Sequence, residues 1–297
     1  MEKDNLVIVG DLYSGKIECY DVNNQALVKT ITNFHTERIL FLKFLPNGNV
    51  VSCSNDKTVN VWETRMFTSL QRYTGHSNWV NGVDQIDGDI MVSVSLDKTI
   101  QIWSISTGQT LKSINANIPV WSVRVLPRGT SIVCGTNGSD DNLRIYDFVS
   151  GSLKQTLRAH DNDVRSIDIL SEQCIVSGGD DMKVFIWDLI TFKVKYTLMG
   201  NIGKVACVKR LSSTQMASCS YGTIIIWNWQ TGSRLNTFYG HIVALLYSAL
   251  DSINDETLIS CSEFKTLKVW NVSSGQSTKS LITEMHIGAV AIAPRLK

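Results

Sequence analysis

Five histidines, His35, His76, His160, His241 and His286, are the side chains best suited by type to acid–base or metal chemistry. They lie roughly 40 residues apart, or at multiples of that interval. A catalytic or metal-binding histidine needs convergent partners, and an even spread along the chain supplies none. The seven cysteines are Cys19, Cys53, Cys134, Cys174, Cys207, Cys219 and Cys261. Their number is odd, most lie in apolar runs, and none sits in a CxxC pair. They read as buried, reduced thiols of an intracellular protein. No Cys/His cluster has the spacing of metal ligands, so no metal is expected. The stretch Gly10-Asp11-Leu12-Tyr13-Ser14-Gly15-Lys16 has the glycine and lysine spacing of a phosphate-binding loop. The next residue is Ile17, so the hydroxyl that would hold Mg²⁺ is missing. Ile17-Glu18-Cys19-Tyr20 reads as a strand, so no helix N-terminus would face a phosphate. A hairpin turn is the expected structure, and no cofactor is expected.

The histidine spacing points instead to a repeat. Its clearest marker is an aromatic residue at the end of a strand-like segment. The copies are Tyr20-Asp21, Trp62-Glu63, Trp103-Ser104, Tyr146-Asp147, Trp187-Asp188, Trp227-Asn228 and Trp270-Asn271. Successive positions differ by 42, 41, 43, 41, 40 and 43. The segments alternate with period two, as in Thr99-Ile100-Gln101-Ile102-Trp103, and not with helical period. A repeat near this length built from four short strands is the sequence signature of a propeller blade.

At these residues the chain resembles the WD40-repeat family, and the resemblance runs over essentially all of residues 1–297, read as a single domain. The fullest copies are Gly75-His76 … Ser93-Val94-Ser95-Leu96-Asp97-Lys98-Thr99 … Trp103, then Ala159-His160 … Ser177 … Asp181 … Trp187-Asp188, then His35 … Ser52 … Asp56-Lys57-Thr58 … Trp62-Glu63. The resemblance implies a hydrogen-bonded tetrad in each of these blades: His76, Ser93, Asp97 and Trp103; His160, Ser177, Asp181 and Trp187; His35, Ser52, Asp56 and Trp62. Such a chain of partners satisfies polar groups that would otherwise be buried alone. The other blades depart from the pattern. Ala116 stands at the histidine position of blade four, the turn of blade six (Ser220-Tyr221-Gly222) has no Asp, and Phe264 replaces the Asp of blade seven.

The expected fold is all-β: a seven-bladed propeller of four-stranded antiparallel blades. Leu6–Val9, Lys16–Tyr20 and Ala26–Ile31 make only three strands of the first blade. The missing inner strand is supplied by the C-terminal segment, about 288–294. That exchange closes the ring and removes two open sheet edges.

The family's partner-binding face carries the loops that enter the inner strands and the turns between second and third strands. Mapped onto this chain, the candidates are Arg38, Trp79, Asn81, Trp121, Asp163, Arg165 and Lys204, with Tyr221 and Phe264 adding apolar surface. Trp and Arg dominate binding hot spots. Three cations beside Asp163 make a poor phosphate pocket, and Arg38 and Arg165 sit three blades apart across the channel mouth.

The function expected from the resemblance is a scaffold or adaptor for protein or peptide partners, without catalysis, as a monomeric propeller within a complex. An alternative comes from Trp62-Glu63-Thr64-Arg65. It looks like the box by which some WD-repeat proteins dock on cullin-type ubiquitin ligases as substrate receptors, with Glu in place of the usual Asp. A channel-sited enzyme is remote, because the inner strands read as mainly Val, Ile, Leu and Ala, with charge only at Asp163 and Arg165. The net charge of +1 gives no strong field for nucleic acid. No apolar run reaches the 18 or so residues of a membrane span, so no membrane insertion is expected. Four apolar residues after the charged N-terminus are too few for a signal-peptide core. The expected location is the cytoplasm, with the nucleus also allowed.

Overall fold

The computed structural model describes residues 6–138, 143–241 and 249–293. These form seven sheets, each of four antiparallel strands, in a ring. The first sheet pairs Ile287–Ile292 with Leu6–Asp11, followed by Ile17–Asp21 and Ala26–Ile31. Ile8 lies opposite Ala291 and Val9 opposite Val290, so the C-terminal strand closes the ring as expected. No helix among the described residues is long and apolar enough to cross a membrane.

Burial grades outward along every blade, and the residue types follow it. The second strand is enclosed on both faces, so Val50-Val51-Ser52-Cys53-Ser54 contains only apolar and small residues, all buried. The outermost strand is open to solvent, so Ser69-Leu70-Gln71-Arg72-Tyr73 tolerates polar residues and buries only its last aromatic. The phosphate-loop lookalike is a hairpin turn, with Asp11 N donating to Lys16 O at 2.9 Å. Its glycines answer to the neighbouring blade. A Cβ at Gly15 would lie 2.0 Å from the His35 carbonyl oxygen, and one at Gly10 would lie 2.5 Å from Ile39.

The inner strands run Ile39–Phe44, Val80–Gln85, Val120–Val125, Val164–Ile169, Val205–Arg210, Leu250–Asn254 and Ile287–Ile292. All seven line a central cavity of about 110 Å³. The channel is not the apolar tube expected from the sequence. Lys43, Asp84, Arg124, Asp168, Lys209 and Asp251 occupy corresponding places on blades two to seven, so the sign alternates around the ring. Lys43 pairs with Asp84, Arg124 with Asp168 at 3.3 Å, and Lys209 with Asp251 at 2.8 Å. Each carboxylate also accepts a backbone N–H from the blade beyond it: Asp84 from Val125, Asp168 from Arg210, Asp251 from Ile292, at 2.8–2.9 Å. Burial alone would raise the Asp84 carboxyl, but Lys43 and Arg124 hold it below its ordinary value.

The sequence reading missed these residues because it took the inner strands as mainly apolar and placed charge only at Asp163 and Arg165. Only ring closure brings together groups some 40 residues apart. Asp251 also clamps the closing strand, which gives a test. Asp251→Ala should cost about 3–5 kcal/mol, since it strands the Lys209 ammonium and orphans the Ile292 N–H. The charge swap Lys209→Asp with Asp251→Lys should recover only part of that, because a lysine cannot accept the N–H. Denaturant unfolding of the three chains measures both steps.

Candidate functional site

The tetrad positions come first, because they hold the loops of the candidate face. In blade five the chain of partners is complete. The Trp187 indole N–H donates to Ser177 Oγ at 2.8 Å, Ser177 Oγ meets His160 Nε2 at 2.8 Å, and His160 Nδ1 donates to Asp181 at 2.9 Å. Blades two and three keep the inner links. His35 joins Ser52 and Asp56, and His76 joins Ser93 and Asp97. Their indoles do not join: the N–H groups of Trp62 and Trp103 reach no partner among the described residues. Trp62 lies against Phe34, and Trp103 stacks on Tyr73 with centroids 4.8 Å apart. Burial alone would raise the Asp56 carboxyl, but the hydrogen bond and charge of His35 bring it down to about 2.

The irregular blades substitute other chemistry at the same place. In blade six Asn201 takes the histidine position, and Ser218 and Ser220 donate to its Oδ1 at 3.2 and 3.3 Å. Blades one and four carry Tyr instead of Trp, and each uses the residue two places earlier as partner. Tyr20 OH donates to the fully buried Glu18 at 2.6 Å. Arg144 reaches the Tyr146 hydroxyl at 3.4 Å and the Ala116 carbonyl at 2.6 Å. Blade seven keeps His241, Ser260 and Trp270 without an acid. Phe264 N–H donates to Ser262 Oγ at 3.2 Å, as Asp56 and Asp97 do to Ser54 and Ser95, so the turn is the same and only the side chain differs. Burial, with the nearby Lys268, pushes the His241 imidazole down to about 4.

On the same face, the pairing of inner and second strands slips by one residue near the mouth of the channel. The slips fall between Ile39 and Phe41, Val80 and Gly82, Val120 and Ser122, Val164 and Ser166, and Val205 and Cys207. Leu40, Asn81, Trp121, Arg165 and Ala206 are therefore bulged residues, turned out of the ladder toward the mouth. In blade one the same slip spans Gly10 and Asp11.

Four of the candidates form one network. The Arg165 guanidinium lies 3.7 Å from the centroid of the Trp121 ring. It forms two hydrogen bonds to Asp180, at 2.8 and 2.9 Å, and pairs with Asp163 at 3.0 Å. Lys204 also reaches Asp180, at 2.6 Å. Burial alone would raise the Asp180 carboxyl, but Arg165 and Lys204 hold it low. Asp180 was not legible as a site residue, because it reads as one more acid beside the tetrad Asp181. Asn81 is only 8% exposed and donates to the Val120 carbonyl at 2.8 Å, so it clasps blades three and four and offers nothing to solvent. Arg38 is half-buried. Trp79, Tyr221 and Phe264 are 38%, 62% and 53% exposed. Tyr13, Met182 and Ile202, which the sequence did not single out, are exposed in loops of the same face. Among the described residues no group of His, Cys, Asp and Glu could hold a metal ion.

A family model described as WD domain, G-beta repeat, matches residues 26–63, 67–104, 108–147 and 151–188. Each match starts at or just before the outer strand of one blade and ends at the close of the third strand of the next. Among curated proteins the chain is 30% identical to nuclear distribution protein PAC1 of Komagataella phaffii, over 63% of this chain and 36% of that protein. It is 29% identical to F-box/WD repeat-containing protein 4 of Homo sapiens, over 65% and 50%. It is 23% identical to apoptotic protease-activating factor 1 of Danio rerio, over 91% and 22%. The chain thus spans no more than half the length of these relatives.

Blade seven yields a paired prediction. Phe264→Asp places a carboxylate where His241 lacks one and should raise stability by about 1–3 kcal/mol at pH 7. In the wild type, unfolding frees an imidazole that titrates near 6.5, while the folded one titrates at about 4. The unfolded chain then binds more protons between these values. Stability rises with pH across that window, by at most about 1.4 kcal/mol per unit from this group. His241→Gln should flatten that part of the slope, and denaturant titrations at pH 5 and 7 read it.

Proposed function

This chain belongs to the WD40-repeat family, and we propose that it is a non-catalytic scaffold whose bulge-and-turn face holds protein or peptide partners. The observation that carries this reading is the rim of exposed aromatics, Trp79, Tyr221 and Phe264, around the Trp121–Arg165 network. A large aromatic left in water gains most when a partner covers it. The network is rigid for the same reason it is not a phosphate site. Arg165 is already held by two carboxylates, so its fork is committed. What it offers a partner is a fixed shape, with Trp121 braced beneath it. The channel carboxylates support the non-catalytic reading, since each is bound to a cation and a backbone N–H. The seven cysteines are all buried free thiols, which suits the cytoplasm or nucleus.

A second reading is that the chain serves as substrate receptor of a cullin-type ubiquitin ligase. Arg65 is exposed beside Met66 on the opposite face, while Thr64 is buried with its hydroxyl 3.4 Å from the Gly48 carbonyl. A relative named F-box/WD repeat-containing protein 4 favours keeping it. Arg65→Ala should then abolish capture of the ligase adaptor, and unchanged capture removes this reading.

Affinity purification from native cells tests the main proposal. Trp79→Ala should release a defined set of proteins and change stability by less than about 0.5 kcal/mol, as an exposed substitution does. Trp121→Ala should release the same set and also lower stability, because Arg165 loses its ring. Retention of every partner by both variants places binding elsewhere.

A further inference from the structure

Blade seven keeps a histidine without its acid and shows solvent a phenyl ring in place of the carboxylate. That exchange forgoes stability, so the ring invites a reason beyond the fold. Phe264 does not stand alone. Its ring centroid lies 6.5 Å from that of His286, and Tyr13 meets the same imidazole edge-on at 5.1 Å. The three rings come from the blade-seven turn, the loop before the closing strand and the blade-one turn. They therefore assemble only when the ring is closed. Tyr13 is 66% exposed and Phe264 is 53% exposed, so both leave aromatic surface open to solvent.

Acceptors stand among these rings. Tyr13 OH donates to Glu263 Oε1 at 2.8 Å, which fixes that carboxylate beside the tyrosine. His286 Nδ1 lies 2.8 Å from the Glu263 carbonyl oxygen. A carbonyl only accepts, so Nδ1 carries the proton, and Nε2 of the neutral ring presents a lone pair. Among the described residues neither Nε2 nor the second carboxylate oxygen, Oε2, is engaged. The cluster thus combines two open acceptors, one of them anionic, with two exposed aromatic rings. That set matches a group that is cationic, bears N–H donors and carries an apolar stem.

We infer that Tyr13, Glu263, Phe264 and His286 receive the ammonium group of an unmodified lysine side chain presented by a protein partner. This deepens the reading of the face as a partner surface and rests on it. The ammonium donates to Glu263 Oε2 and His286 Nε2, and the lysine methylenes lie along Phe264 and Tyr13. An arginine would bring a planar fork that wants two parallel acceptors on one group, and Glu263 Oε1 is already taken. A trimethylated lysine keeps the charge but has no N–H for either acceptor.

The test uses ligand-observed NMR on the whole chain with three short peptides that differ only at one lysine: unmodified, Nε-acetylated and Nε-trimethylated. The unmodified peptide should bind at least tenfold more tightly than the acetylated one, with the trimethylated peptide between them. Glu263→Gln, which keeps the shape, and Phe264→Ala should each weaken the unmodified peptide at least fivefold without lowering the melting temperature. Tyr239→Ala, on an exposed outer strand, should bind as wild type. Equal binding of the acetylated peptide, tighter binding of the trimethylated peptide, or full binding by Glu263→Gln overturns the assignment. If Trp79→Ala still releases the cellular partners while the lysine peptide fails to bind, the face remains a partner surface and this inference alone falls.

Discussion

The ring of alternating charge in the channel is the constraint on which the arrangement of blades depends. Six buried or half-buried charges are tolerable only because each has an opposite neighbour. Arg124 is raised above its ordinary value against the pull of burial by Asp168 and Asp84, one on each side. Lys209 is raised in the same way by Asp251 and Asp168. Seven positions cannot alternate in sign without setting two like charges side by side, which would cost several kcal/mol. The chain resolves this with Ala291 on the closing strand, the one neutral member. Where the charge lock is missing, between blades one and two, the contact is steric instead. Gly10 and Gly288 let the strands press directly on Ile39.

The tetrads act at a different radius. They tie each loop to the strand beneath it, and they need less uniform chemistry than the channel does. What recurs among the blades is a polar pair enclosed within the blade, and His–Asp, Asn–Ser, Glu–Tyr and Arg–Tyr all supply one. A single hydrogen bond contributes about 1 kcal/mol net, whereas leaving one of these groups unpaired costs more than that. The blades therefore tolerate different partners at this place, while the Trp62 and Trp103 indoles take part by packing and not by a hydrogen bond. Blades one, four, six and seven stray from the family pattern and still form four-stranded sheets.

Repeat number, blade composition and ring closure were legible in the sequence because each is written in local pattern: a strand period of two, an aromatic at a fixed place, three strands where four are needed. The site was legible only in part. Trp121, Asp163, Arg165 and Lys204 could be named from their places relative to an apolar strand position, and they converge. Asn81 could not be separated from them, since only the neighbouring blade shows that its amide has a carbonyl to bind. Asn201 was hidden because it matches no histidine, and Tyr13 because its turn reads as a phosphate loop. The channel charges were hidden more deeply. An Asp84 or Lys209 in a strand looks like a residue bound for solvent, and what makes it internal is closure itself.

Closure also explains why one strained bargain sits where it does. Blade seven has lost its tetrad acid, yet it borders the seam that must hold the ring shut. The seam does not rely on that tetrad. Asp251 grips the Ile292 N–H of the closing strand at 2.9 Å while bound to Lys209, and the His286 carbonyl accepts from Leu12 at 2.7 Å. With closure secured at the channel and at the loop, the turn of blade seven is free to change. A substitution such as Asp to Phe at position 264 then weakens one blade without opening the ring. The outer end of the seam becomes the part of the face where surface chemistry can vary most cheaply.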